Sequence, residues 1–78
     1  MKLWDLQKNQ HALITAMSSS INDEVIHRLH EMGLDINNPV LCVKRGPMGG
    51  PIVIQLGDSV FAIEHNLASN ISVSVIKD

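Results

Sequence analysis

The sequence predicts a mainly β domain: a small, partly open barrel of about five strands, with one α-helix between the first and second strands. Three observations carry that expectation. From Pro39 onward the apolar residues recur at period two in short runs, each closed by Gly, Pro, Asn or Asp. A single clear helical stripe, Val25, Ile26, Leu29 and Met32, lies upstream of those runs. With 78 residues, the chain can hold one small core, and short strands in so small a sheet leave exposed edges unless the sheet curls on itself.

The elements follow in order. Residues 1–11 are polar with apolar anchors at Leu3, Trp4 and Leu6, a spacing that fits either a helical turn or an extended tail pinned to the core. Residues 12–17 read as the first strand, broken by Ser18-Ser19-Ser20. The helix comes next. Ser20 or Asn22 suits its N-cap, Asp23 and Glu24 lie in the first turn where the helix dipole favours negative charge, and Gly33 suits a left-handed ending with Leu34 folding back on the last turn. Pro39 opens a strand running to Val43 or Lys44, and residues 51–56 form another. Gly57-Asp58 is a two-residue hairpin signal, and residues 59–64 pair back across it. Residues 65–70 make a polar connection long enough for a single helical turn. In the last strand Ile71, Val73 and Val75 alternate with Ser72 and Ser74, burying one face and wetting the other.

Composition narrows the function. Six basic and eight acidic residues give a net charge of -2 with no basic face, and aromatic stacking platforms are missing. Both facts argue against nucleic acid as a partner. Trp4 and Phe61 are the only aromatics, so the core must be aliphatic, and a proline-rich peptide would find no aromatic-lined groove. Cys42, the lone cysteine, sits in an apolar run and reads as a small buried hydrophobe, consistent with a reducing cytoplasm. No apolar run approaches the ~20 residues of a membrane helix, so the expectation is a soluble cytoplasmic chain without direct membrane insertion. Serines and histidines are present, but none stands in a recognisable nucleophile context, and the expectation is a protein that is not an enzyme.

Two features suggest function. In the stretch Lys44-Arg45-Gly46-Pro47-Met48-Gly49-Gly50-Pro51, three glycines and two prolines fall within residues 46–51, far more than a generic hairpin needs. It reads as a shaped, protruding contact loop, with Met48 at the tip and Lys44 and Arg45 on its flank. The second feature is the helix itself, where His27, His30 and Glu31 are spaced to share one face and offer imidazole and carboxylate to Fe²⁺ or another divalent transition metal. Against this stand the absence of a His-Glu-x-x-His arrangement and the need for some polar residue on that face. His65 beside Glu64 is a weaker candidate, because neighbours in a strand point to opposite faces. Self-association through an edge strand is left open.

The order of landmarks over residues 29–73 resembles the FeoA family of small SH3-like barrels. Met32-Gly33-Leu34 matches the step that ends the family's helix, and Pro47-Met48-Gly49-Gly50-Pro51 matches its Pro-x-Gly-x-Pro loop. Ile54, the turn glycine Gly57, the pair Ala62-Ile63, Ala68 and the closing Ile71-Ser72-Val73 follow in order. The chain departs from the pattern in three places. Asn37-Asn38 replaces a Pro-Gly turn, Glu64 stands where a basic residue is usual, and Leu67 stands where a glutamate is common. The resemblance implies one SH3-like domain over residues 1–78. It also implies an accessory role in bacterial ferrous iron uptake, in which the chain binds the cytoplasmic part of an FeoB-type membrane permease or an associated protein and modulates transport. The alternative it leaves is a metal-responsive module.

Overall fold

The computed structural model describes residues 1–77. Its elements run in the order β1 (His11–Met17), α1 (Asp23–Glu31), β2 (Pro39–Arg45), β3 (Ile52–Leu56), β4 (Ser59–Ile63), α2 (His65–Ala68) and β5 (Ile71–Val75). The five strands form one antiparallel sheet in the order β4-β3-β2-β1-β5. The fold is the mainly β, SH3-like, partly open barrel that the sequence predicts: β4 and β5 lie at opposite ends of the sheet order and do not pair. Irregularities in register between Ile14 and Ala16 in β1 and between Cys42 and Lys44 in β2 bend two of the three interior strands and let the sheet curl. Besides α1 there is α2, the single helical turn that the 65–70 connection has room for.

Local chemistry accounts for the helix and its ends. Asn22 is the N-cap and its side chain accepts the Glu24 N–H at 2.8 Å. At the other end Gly33 takes φ +90°, its N–H donates to the His30 carbonyl, and the Leu34 N–H donates back to Leu29 at 2.9 Å. Those two bonds make a Schellman ending, and they turn Leu34 fully into the core. Asn37 takes φ +74°, a left-handed turn position that asparagine tolerates better than most residues.

The core is aliphatic. Leu3, Leu6, Ile14, Leu34, Ile52, Ile54 and Ile71 are fully buried, and among the described residues no polar or charged side chain is buried with them. Trp4 and Phe61 pack only at its margin. Of the helical stripe, Leu29 alone is buried, while Val25, Ile26 and Met32 remain half-exposed. The helix therefore rests on the barrel through Leu29, with Val25, Ile26 and Met32 packed at the rim of the core and Ile21 and Leu34 buried on its flanks. The N-terminal segment forms a short 3-10 turn over Leu3–Asp5 that drives Leu3 and Leu6 inward. It also covers the outer edge of β5: Lys2 bridges Ser72, and the Val73 N–H donates to the Met1 carbonyl at 2.8 Å.

Candidate interaction site

The connection between β2 and β3 is built from its glycines. Arg45 and Ile52 are the last paired residues of the two strands. Beyond them the Gly46 N–H donates to the Pro51 carbonyl at 3.1 Å and the Gly50 N–H to the Pro47 carbonyl at 3.0 Å, so the two legs of the loop are bonded to each other. The legs also touch. A Cβ on Gly46 would lie 2.9 Å from the Pro51 oxygen and 3.0 Å from the Gly50 carbonyl carbon, so no larger residue fits without moving backbone. At the crest, over Pro47–Gly49, the chain makes a tight turn in which Met48 adopts φ 56°, ψ 37° and Gly49 φ +77°. A methionine in the left-handed region costs roughly 1–2 kcal/mol. Its side chain gains no burial in return, being fully exposed at the tip. Pro47, Gly49 and Pro51 are exposed with it.

The two flanking cations differ. Lys44 is exposed, whereas Arg45 is half-buried and turned onto the N-terminal segment. Its guanidinium lies 4.3 Å from the centroid of the Trp4 ring and donates a hydrogen bond to the Trp4 carbonyl. The Trp4 ring in turn packs against His65, centroid to centroid 4.3 Å. Arg45 thus anchors the foot of the loop, and Lys44 is the flanking charge left facing solvent. Nothing in the local sequence signals this tie, since the two residues are 41 positions apart.

The helix face divides its histidines. His27 Nε2 lies 2.9 Å from Glu31 Oε1, as the i, i+4 spacing suggests. His30 instead hydrogen-bonds through Nδ1 to Asp35 Oδ1 at 2.6 Å, because the reversal at Gly33 brings Asp35 back beside the helix. His27 and His30 both border a shallow groove of about 590 Å³ that also includes Asp23 and Asp35. Each imidazole has a different carboxylate partner, and among the described residues no three metal-ligating side chains converge. His65 lies apart from both, against Trp4.

Cys42 is fully buried beneath the foot of the same loop. Burial pushes its thiol above the ordinary range. The nearby Arg45 charge and a backbone hydrogen bond at Lys44 pull it partly back. The thiol is therefore protonated and shielded at neutral pH, which makes it a packing residue.

The chain matches the FeoA domain over residues 1–75. It belongs to the FeoA family. The match includes the N-terminal segment, where the sequence alone agrees with the family only in the order of its elements. Solved FeoA structures superpose closely. The Chlorobium tepidum FeoA protein is 25% identical with a TM-score of 0.89, over 99% of this chain and 71% of that one. Stenotrophomonas maltophilia FeoA is 29% identical with a TM-score of 0.79, over 95% of this chain and 89% of that one. That protein was solved with zinc and described as a prokaryotic SH3 domain protein, proposed as a bacterial ferrous iron transport activating factor. A manganese-dependent transcriptional repressor shares the fold at 13% identity and a TM-score of 0.85, over 97% of this chain and 36% of its own. No match to the chain is found among curated proteins. No helix among the described residues is long and apolar enough to cross a membrane.

Proposed function

We propose that the chain is a non-enzymatic accessory factor of ferrous iron uptake, acting in the cytoplasm. On this reading it docks on the cytoplasmic part of an FeoB-type permease, or on a protein associated with it, and modulates transport. The docking element is the loop 46–51 with Lys44 on its flank. Membership of the FeoA family supports the process. The observation that carries the docking role is the tip: Met48 is held in a strained left-handed conformation with its side chain entirely in solvent, on a loop cross-bonded at its base. Strain kept without burial has no return in folding, and a polarizable, adaptable thioether suits a contact surface. A preformed loop also loses little conformational entropy on binding.

Titration calorimetry of the chain against the cytoplasmic domain of its cognate permease tests this. Met48→Asp is expected to weaken binding by at least about tenfold, as for a central contact residue, while the melting temperature stays within a degree or two. Undiminished affinity of that variant would remove the loop from the interface.

The zinc complex of the Stenotrophomonas protein favours a second reading, a metal-responsive module. Here His27 and His30 are held by separate carboxylates, so metal binding would first have to regroup them. Anaerobic titration with Fe²⁺ separates the two readings: a one-to-one isotherm abolished by His27→Ala with His30→Ala would support metal sensing over docking.

A further inference from the structure

The two ends of the sheet are finished differently. The outer edge of β5 is covered by the N-terminal segment through the Lys2–Ser72 bridge and the bond to Met1. Among the described residues nothing covers the outer edge of β4 in this way. β4 pairs only with β3, in an unbroken register from Ile52↔Ile63 to Leu56↔Ser59. In a two-residue hairpin the closing pair, here Leu56 and Ser59, is hydrogen-bonded, and the pairs alternate from there. Ser59, Phe61 and Ile63 therefore direct their backbone groups to β3. Val60 and Ala62 direct theirs outward, and among the described residues neither makes a backbone or side-chain hydrogen bond there. The side chain of Val60 is 57% exposed, and Ala62 is exposed beside it. The usual guards of an edge strand, a lysine, a proline or a bulge, are absent from Ser59–Ile63. Alongside its last residues runs a groove of about 470 Å³ with an apolar floor of Val25 and Leu29 of α1, Met32 just past it and Leu67, and with Arg28 and Glu64 among its polar lining.

We propose that the outer edge of β4 accepts an extended segment of another protein as an added strand, a segment with two apolar residues between flanking lysines or arginines. The charge pattern selects this occupant. An acidic residue stands at each end of the edge, Asp58 in the turn and Glu64 just past the strand. Glu64 continues the extended backbone at φ -72°, ψ 161°. Two copies of this chain pairing antiparallel with full overlap would set Val60 against Ala62. The same pairing would bring Asp58 of each copy against Glu64 of the other, two like-charge contacts on one ribbon. The edge is thus guarded against its own copy and matched to a basic-ended strand. Backbone bonds would supply affinity, and the end charges and the α1 groove would supply specificity. This surface is separate from the loop 46–51 and stands or falls independently of it.

The test uses the protein as its own probe. The variant D58K/E64K presents the same strand with basic ends. Isotope-labelled wild-type chain, titrated with unlabelled D58K/E64K, is expected to shift and protect from exchange the Val60 and Ala62 amides, which exchange freely in the unmixed protein. Sedimentation should find a heterodimer in the mixture and monomers in each protein alone. Raising ionic strength from about 0.05 to about 0.5 M should weaken the association several-fold. Ala62→Pro in the labelled chain should fold normally, since that N–H serves no bond in the sheet, and should weaken association at least about tenfold. Absence of shifts at millimolar concentration, shifts centred elsewhere, or an unfolded Ala62→Pro chain would overturn the proposal. Equal association of wild type with wild type would assign the edge to a second copy instead.

Discussion

β2–β3 and β3–β4 are both antiparallel neighbours joined by a connection that reverses the chain, and the two connections differ in every other respect. Between Leu56 and Ser59 the reversal takes Gly57 and Asp58 alone, with Gly57 at φ +60° and open space where a Cβ would be. Between Arg45 and Ile52 it takes residues 46–51, two cross-bonds, legs in contact and a strained, exposed methionine. The short turn is what closure requires. The difference between them is structure that closure does not need, and it is this surplus that the proposed docking role would use.

Making the two connections alike should have the greatest consequence. Replacing residues 47–51 by Asn-Gly-Thr leaves Gly46 opposite a residue able to donate the closing bond of a two-residue turn. The shortened chain is expected to keep its circular dichroism spectrum and to lie within about 1 kcal/mol of wild type in stability. Its binding to the cytoplasmic domain of the permease should be lost altogether. Full retention of binding would show the long loop to be a connection only.

A smaller effect, on folding this time, separates the glycines. Gly46→Val forces a Cβ onto backbone atoms on the opposite leg and is expected to cost about 2–3 kcal/mol, a fall in melting temperature of roughly 10 °C or more. Gly57→Ala meets no atom and pays only for its positive φ, about 1 kcal/mol. Thermal denaturation ranks them. Similar losses for both would mean that the legs of the longer loop spread easily, and that its rigidity is not what the close approach of Gly46 implies.

Much of this was legible in the residues, and the exceptions share a cause. Asn22, Gly33 and the Gly57 turn act on neighbours within a few positions, so their chemistry shows in the local sequence, and the period-two runs mark β3 to β5 for the same reason. The same holds for the length and glycine content of the loop 46–51. The roles of Leu3 and Leu6 were not legible: anchors three apart fit a pinned tail or a turn, and only the packed barrel decides between them. Arg45 reads locally as a surface cation and is drawn to Trp4, far away in sequence. His30 shares a helix face with His27 by spacing, yet Asp35, returned by the Gly33 reversal, captures it. Contacts across the sheet or around a reversal depend on tertiary placement, which periodicity does not encode.

The smallest expected effect lies under the foot of the longer connection. The buried Cys42 thiol lies beside the Lys44 carbonyl near the start of the β2–β3 loop, its pKa raised by desolvation and partly offset by Arg45. A thiol whose pKa is higher folded than unfolded favours the folded state while it stays protonated. Its contribution is full below the unfolded value, about 8.5, and is lost as pH rises through the folded value. Melting temperatures measured from about pH 8 to about pH 11 should therefore fall more steeply for wild type than for Cys42→Ala, even though the variant starts lower because of the cavity it creates. Arg45→Gln removes the charge that opposes the shift and should carry the loss to a higher pH. Parallel curves for wild type and Cys42→Ala would mean that water reaches the thiol, and that the foot of the loop is looser than its two cross-bonds require.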